Sequence, residues 1–310
     1  MKPRLVLVGL GHGQLEILER LDALRDRYEV NYIGGREAIY TGAFPQVIAG
    51  EMESATVYLR KDVEPIAHRL IALHPETRLV ETERGRVSYD ILVLATGATS
   101  RGIGKKLKPM QPELFDEILQ TDAITIVGGG KAGVELAFAC VRRHQHVTLY
   151  ARDVLPELPR HVGRQMARRL VESGVTLVQT SLNPETPADG LILDATGIVP
   201  ADWWSVAGLA DHDAFIDTED DLRHAVYHEI YITGDMAARL SGGVDAVRSG
   251  RHVARRLLGE KGAFKQRTSL NILLTLPGKA LLTFGKITWH GRFPYRLKRV
   301  IDRRYMKRFS

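Results

Sequence analysis

Apolar positions along this chain change period in a repeating order. Leu5–Val8 is an unbroken apolar run, and residues 13–25 then carry Ile17, Leu18, Leu21 and Leu24 at helical spacing. Tyr28–Ile33 returns to a strand-like pattern. A glycine-rich turn, Gly9-Leu10-Gly11-His12-Gly13, joins the first run to the helix. Strand, glycine loop, helix and strand in that order predict the first half of a doubly wound sheet. Further on, the spacing predicts a helix over 62–73 and short strands over 78–81 and 86–88, joined by Glu83-Arg84-Gly85. A buried parallel strand over 90–97 ends in Ala95-Thr96-Gly97.

The programme then starts again. Ala123–Val127 reads as a strand, 131–143 as a helix, His146–Tyr150 as a strand and 160–173 as a basic amphipathic helix. Residues 191–197 close this unit with Ala195-Thr196-Gly197. Val8-Gly9-Leu10-Gly11 aligns with Val127-Gly128-Gly129-Gly130, and the two Ala-Thr-Gly strand ends align as well. An internal repeat of one nucleotide-binding unit is therefore expected. Beyond it, Ile230–Asp235 supplies one more buried strand and 243–258 a helix. Residues 268–289 read as a hairpin around Pro277-Gly278-Lys279. A tail helix begins near Pro294, where proline suits a first turn.

Composition narrows the classes. The 310 residues are enough for two domains. Nowhere do about eighteen apolar residues follow one another, so no spanning helix is expected. Met1 leads within a few residues into the first strand with no secretion signal evident, which makes a cytoplasmic compartment the expectation. Cys140 is the one cysteine, so neither an intramolecular disulfide nor a C-x-x-C redox pair can form. The histidines have no metal-ligand spacing, and His144 and His146 are expected to face solvent at a helix–strand turn. Net charge is +6 but unevenly placed: from Gly291 to Ser310 eight Lys/Arg stand against Asp302, a tail of +7, whereas the remainder carries 35 basic and 36 acidic groups.

Two loops carry the candidate chemistry. Gly128-Gly129-Gly130-Lys131-Ala132-Gly133 satisfies G-x-G-x-x-G between a strand and a helix. Gly128 permits the tight turn, Gly130 lets the backbone approach a pyrophosphate, and Gly133 lets helix and strand pack closely. The helix N-terminus faces the phosphate charge. The first loop keeps Gly9 and Gly11, but Gln14 holds the third slot and the glycine stands one place early, at Gly13. At the end of the second unit's next strand, an acid would bond a ribose 2′-hydroxyl and an arginine would accommodate a 2′-phosphate. Ala151 stands there, followed by Arg152, which favours NADPH over NADH; an inward-turned Asp153 would reverse the preference.

A glycine loop, an Ala-Thr-Gly strand, a second loop ending Gly133-Val134-Glu135, another Ala-Thr-Gly and Thr233-Gly234-Asp235 follow one another along nearly the whole chain. This order resembles the FAD-dependent pyridine nucleotide-disulfide oxidoreductase superfamily. Gly11-His12-Gly13-Gln14, Tyr40-Thr41-Gly42-Ala43-Phe44-Pro45 with Ala49-Gly50, and the tail from Leu297 to Phe309 look closest to its type II NADH dehydrogenase branch, in particular the flavoprotein domain fused to selenide, water dikinase. The resemblance implies an α/β fold of two Rossmann-like, doubly wound domains, the NAD(P) domain inserted in the FAD domain, with a C-terminal β-hairpin and amphipathic helix. The expected boundaries are 1–105 and 223–260 for the FAD domain, 106–222 for the NAD(P) domain and 261–310 for the C-terminal part.

The resemblance also implies the ligands. FAD would sit on Gly9, Gly11, His12 and Gly13, with Asp235 bonding the ribityl chain or neighbouring phosphate-side groups and Thr96-Gly97 near the cofactor where the chain crosses between domains. NADPH or NADH would sit on Gly128, Gly130, Gly133 and Arg152. The acid usual after the second strand of an FAD domain comes late here, at Glu37, so the adenosine ribose contact is expected from backbone or from Arg36. Relatives that reduce disulfides or oxidise sulfide use cysteine pairs. This chain has none, so hydride would pass from nicotinamide to flavin and electrons would leave to an external acceptor.

Glu135 matches a glutamate that in type II dehydrogenases lies where nicotinamide and quinone meet the flavin; it is equally a first-turn acid favoured by the helix dipole. Those enzymes carry Ala-Gln-x-Ala-x-Gln at the quinone site, and here Gly243-Val244-Asp245-Ala246-Val247-Arg248 lacks both glutamines. In the tail, Leu297, Ile301, Tyr305 and Phe309 recur at i, i+4 with Val300 beside them, flanked by Arg296, Arg299, Arg303 and Lys307. Such a helix suits the headgroup region of an anionic membrane, on the inner face of the cytoplasmic membrane. Packing of the stripe on the FAD domain or on a homodimer partner is the other reading. Nucleic acid is disfavoured, because the aromatics follow helical spacing rather than forming a stacking platform. The expectation is a flavin-dependent NAD(P)H oxidoreductase with a quinone-like acceptor. The alternatives are a soluble reductase of a small protein or selenium-related substrate and a non-enzymatic NAD(P)H-sensing flavoprotein.

Overall fold

A computed structural model describes residues 1–309 apart from 103, 108–112, 145 and 182–188. The run Leu5–Leu7 is wholly buried because its strand, Arg4–Val8, lies inside a four-stranded parallel sheet. The sheet order is Ile230–Ile232, Ile91–Leu94, Arg4–Val8, Glu29–Ile33. Leu5 stands opposite Val30 on one side and Ile91 on the other. A strand buried on both faces reads as a continuous apolar run, which is why it was legible in the sequence.

The second unit forms a separate five-stranded parallel sheet, ordered Lys105–Lys106, Leu191–Asp194, Ala123–Val127, His146–Tyr150, Thr176–Val178. All of its strands lie in the chain between Ile91–Leu94 and Ile230–Ile232, so the second sheet is inserted within the first. The two crossings run side by side, Thr99–Ser100 pairing antiparallel with Ile198–Val199.

Three expectations are corrected. The helix expected over 13–25 is two, His12–Leu18 and Leu21–Arg27. The break lets Leu15 face the tail helix while Leu21 and Leu24 face the sheet core. No helix forms over 62–73; residues 70–74 are instead a strand, Leu70–His74, with Ile71 exposed and Leu73 buried. Pro65 disfavours helical backbone at Glu64, and a register shift between Leu70 and Ala72 turns Ile71 outward while Leu73, two residues on, faces the core. The C-terminal hairpin has a third strand: Leu270–Leu274, Ala280–Phe284 and Ile287–Gly291 form an antiparallel sheet.

The tail helix, Arg292–Arg308, follows this sheet. Its buried stripe is Pro294, Lys298, Asp302 and Tyr305, continued by Phe309. Tyr305 and Phe309 pack on Leu15 and Val57, and the Phe309 carbonyl accepts from Tyr58 N–H at 2.8 Å. Burying two such rings stabilises by roughly 1.5–3 kcal/mol each. Val300 and Ile301 stay exposed. The stripe read from the sequence is thus split: its last two members pack on the first unit, while Lys298 and Asp302 take the buried positions next to Leu297 and Ile301. Among the described residues, no helix is long and apolar enough to cross a membrane.

Candidate functional site

The first glycine loop opens on a cleft of about 380 Å³. Gly9, Gly11, His12, Gly13, Thr96, Gly97 and Asp235 all line it, so the sequence-derived set comes together. Gly9 has φ +88°, and a Cβ on Gly9 or Gly11 would come within 2.7 or 2.6 Å of the Ala95 carbonyl oxygen. The loop is pressed onto the neighbouring strand end and only glycine permits it. A Cβ on Gly13 would lie 2.6 Å from Thr233 Oγ1, and one on Gly250 would collide with the Gly13 carbonyl. This accounts for the early third glycine: Gly13 and Gly250 let the helix Gly242–Leu257 cross tightly over His12–Leu18. Gln14, in the ordinary third slot, is fully buried, and neither amide atom has a protein partner among the described residues.

Asp235 Oδ1 accepts from Gly242 N–H at 3.1 Å, at the N-terminus of the helix Gly242–Leu257. That helix end, with its positive dipole, faces the cleft through Gly242 and Gly243 and suits a phosphate. Arg36 does not line this cleft. Its guanidinium pairs with Glu64 at 2.6 Å, and the cleft wall beside it is made by Gly34, Gly35, Glu37 and His68 instead. His68 was missed because it fell inside the misread helix over 62–73; its Nδ1 lies 3.4 Å from the Gly34 carbonyl.

In the second loop, Gly128 has φ +120°, and a Cβ on it would strike the Ala195 carbonyl. A Cβ on Gly133 would collide with the Gly128 carbonyl, whereas one on Gly130 would meet no protein atom. Gly130 therefore faces open space at the N-terminus of the helix Lys131–Cys140, where a pyrophosphate fits. Residues 151–153 lie against this loop, since a Cβ on Gly129 would collide with the Asp153 carbonyl. Ala151 is buried, and Arg152 and Asp153 are exposed beside it.

A second cleft, of about 480 Å³, shares His12, Thr41, Gly242 and Gly243 with the first. Glu135 lines it and is held from two sides. Its Oε1 accepts from Leu274 N–H at 2.6 Å and lies 3.2 Å from Lys298 Nζ. Lys298 also donates to the Gly42 carbonyl at 2.9 Å and lies 3.5 Å from Asp302 Oδ2. Asp302 accepts from the Tyr40 hydroxyl at 2.9 Å and from the Gln46 amide. Burial pushes the Glu135 and Asp302 carboxyls above the usual carboxylate range, with the Lys298 ammonium opposing. Burial works to lower Lys298, but the two carboxylates outweigh it and hold it above its ordinary value. One cation faces two largely buried carboxyls, which favours a proton retained between them. Val244 and Arg248, at the places of the two absent glutamines, both line this cleft.

The Tyr40 and Tyr305 rings stack at 4.3 Å, with His12 5.5 Å from Tyr40. Cys140 is wholly buried, which pushes its thiol up to about 12. His144 is buried rather than solvent-facing, its Nδ1 2.8 Å from the Thr121 carbonyl.

Two glycine-loop units, one inserted in the other and each with open space at its loop, define a two-domain α/β FAD/NAD oxidoreductase fold. Residues 3–253 match the family model for pyridine nucleotide-disulphide oxidoreductases, and the chain belongs to that family. Membership implies FAD and NAD(P)H as cofactors and oxidoreductase chemistry. The nitric oxide reductase FlRd-NAD(+) reductase of Escherichia coli O9:H4 (strain HS) is 36% identical over 118 residues, covering 34% of this chain and 31% of the relative. The chain thus aligns with about a third of the length of the curated relatives it matches. The sulfide:quinone oxidoreductase structure from Aquifex aeolicus aligns with TM-score 0.74 at 14% identity, over 99% of this chain and 91% of that one. The NADH-bound water-forming oxidase of Lactobacillus brevis aligns with TM-score 0.74 at 18% identity, over 91% and 75%. At these identities the structures share the fold.

Proposed function

We propose that the protein is an FAD-dependent NAD(P)H dehydrogenase that prefers NADPH and reduces a quinone-like acceptor without a redox disulfide, on the inner face of the cytoplasmic membrane. The observation that carries this is the joining of the two clefts: the cleft at the first glycine loop runs through His12, Thr41, Gly242 and Gly243 into the one lined by Glu135. FAD bound in the first cleft supplies a ring that takes hydride from a nicotinamide and releases electrons to an acceptor. Gly9, Gly11, His12, Gly13, Thr96, Gly97 and Asp235 hold its pyrophosphate and ribityl side, with Glu37 or backbone at the ribose. Gly128, Gly130 and Gly133 hold the nicotinamide nucleotide. The boundaries expected from the sequence, 1–105, 106–222, 223–260 and 261–310, place each loop in its own domain; the crossings at Thr99–Ser100 and Ile198–Val199, with Trp204, Leu209, Ile216 and Leu222 in the first unit's core, favour inner edges near residues 100 and 200.

Glu135, whose carboxyl burial shifts toward the protonated form, is placed to pass a proton to the acceptor, with Lys298 and Leu274 N–H fixing its orientation. Val244, Val247, Leu270 and Ile272 give the acceptor cleft an apolar wall, which suits a quinone ring. Arg152 would meet a 2′-phosphate. An engineered NADPH oxidase derived from the Lactobacillus brevis enzyme carries, among its changes, aspartate to alanine and the next residue alanine to arginine. The same pair stands here as Ala151-Arg152, at the end of the strand beside the second loop.

A second reading, reduction of a small redox protein, has support in a putidaredoxin reductase solved with putidaredoxin, which aligns with TM-score 0.71. Anaerobic reduction of the holoprotein with NADPH, followed by a water-soluble quinone or a small iron–sulfur protein, separates the two. Rapid reoxidation by the quinone alone supports the first. Reoxidation by the protein alone supports the second.

A further inference from the structure

The cleft that holds Glu135 is apolar along one wall, yet it carries more cations than carboxyls. Lys131, Arg248, Arg251 and Lys298 line it against Glu135 and Asp302. We propose that its acceptor is a quinone carrying a carboxylic acid on a short arm, and that Arg248 recognises the acid. The proposal rests on the reading of that cleft as the acceptor site.

Three of the four cations are already answered. Lys298 lies between the two carboxyls, at 3.2 and 3.5 Å. Arg251 pairs with the buried Glu16 at 2.7 Å. Lys131 follows Gly130 in the second glycine loop, so it answers first to the nicotinamide nucleotide. Arg248 is left.

Its surroundings hold the Arg248 guanidinium in place without neutralising it. Nη1 donates to the Arg267 carbonyl at 2.8 Å and to Ser269 Oγ at 3.3 Å. The Asp245 carboxylate lies 3.8 Å away, beyond a hydrogen bond. That carboxylate is buried outside the cleft lining and accepts from Ser241 N–H, the Gln266 amide and the Ser269 hydroxyl. Nε and Nη2 of Arg248 have no protein partner among the described residues. Such an open guanidinium edge grips a carboxylate through two parallel bonds.

The strand Leu270–Leu274 joins the two ends of the site. Ser269, which steadies Arg248, precedes it, and Leu274, whose N–H bonds Glu135, ends it. The run from Ser269 to Leu274 spans about 17 Å. Leu270 and Ile272 line the cleft along that run, with Val244 and Val247 from the helix Gly242–Leu257. A quinone ring on this wall places a carbonyl toward Glu135, and an acid on a short arm reaches Arg248. A purely hydrocarbon arm would cover the guanidinium without pairing it, which costs free energy. The acid takes no part in the redox step: NADPH, a proton and the quinone give NADP+ and the quinol in either case.

The test uses the flavin-loaded holoprotein and two matched acceptors, menadione bearing a six-carbon carboxylic acid arm and the methyl ester of the same compound. The two share one ring and differ in charge. Wild type is expected to favour the acid about tenfold or more in kcat/KM, mainly through KM. That preference should shrink as salt rises. Arg248→Gln should bring acid and ester level, whereas Arg248→Lys, which keeps the charge, should retain most of the preference. Because the ratio is taken within one variant, a general loss of activity does not move it. Wild type that treats the two alike overturns the proposal, as does a preference untouched by Arg248→Gln. If Arg248→Gln loses its flavin, the salt series on wild type decides, and a preference indifferent to salt overturns it. Calorimetry on the oxidised holoprotein separates the two readings. Tight, Arg248-dependent binding of the acid with no turnover would sink the reductase reading and leave the acid site standing. Turnover of both compounds with equal KM would sink the acid site alone, and binding of neither would sink both.

Discussion

The two glycine loops begin alike and differ in where their third glycine works. At the second loop, Gly133 sits under its own strand end, where a Cβ would strike Gly128. At the first, Gly13 faces outward to Thr233 and to Gly250 of a crossing helix. The second loop thus uses its third glycine to seat its own helix on its own strand. The first uses it to admit the helix Gly242–Leu257, whose N-terminus then aims at the same cleft. One motif is bent to two packing problems, and a missing third glycine in the usual place is no sign of a lost ligand.

Gly11→Val should break the first loop most completely, because its side chain would press on the Ala95 carbonyl and fill the cleft. The purified protein is expected to lose flavin absorbance, with flavin affinity down about 100-fold or more. Retained flavin would show that the first cleft is not the flavin site. Gly133→Val sharpens the contrast. It should keep the flavin yet slow its reduction by NADPH about 10–100-fold, as overpacking costs about 1–3 kcal/mol. Loss of flavin in that variant would mean that the loops are not separate sites.

Glu135→Gln tests what the two clefts share. Acceptor reduction should fall about 100-fold, the lower range for losing a general acid, with nicotinamide preference unchanged. The burial that raises the Glu135 carboxyl means that the folded site holds its proton at a pH where an exposed carboxyl has released it. The wild-type rate should therefore be full at low pH and decline as pH rises through that elevated value; the variant should lack this limb. The contribution of Glu135 and Asp302 to stability has the same sign, being present below the ordinary carboxyl range and lost as pH rises. An unchanged profile would reduce Glu135 to a packing residue. Arg152→Glu should have the smallest effect, shifting the NADPH-to-NADH ratio of kcat/KM about tenfold toward NADH through loss of one charged contact to phosphate. Identical selectivity would remove Arg152 from the site.

The regions legible in the sequence were those where one period dominates. Leu5–Val8 and Ala123–Val127 lie inside parallel sheets, so their runs are almost wholly apolar, and Gly9, Gly11, Gly128 and Gly133 are fixed by backbone contacts that no other residue permits. Residues 62–73 were misread because a few apolar residues near a proline fit a helix as well as a strand, and His68 was lost with them. The pairing of Arg36 with Glu64, 28 residues on, leaves no trace in the sequence pattern. The tail misled for a different reason. Lys298 and Asp302 occupy buried positions that hydropathy assigns to solvent, and their partners Glu135, Tyr40 and Gln46 come from distant parts of the chain. Buried charge is stable only when it is paired, and pairing across units leaves no periodic trace.

The most direct test is an anaerobic titration of the purified holoprotein with NADPH, followed through the flavin absorbance. Complete bleaching at stoichiometric NADPH, faster than with NADH and reversed on adding a water-soluble quinone, is the expected result. A bound flavin that neither nucleotide reduces would contradict the assignment of the two loops to two communicating cofactors.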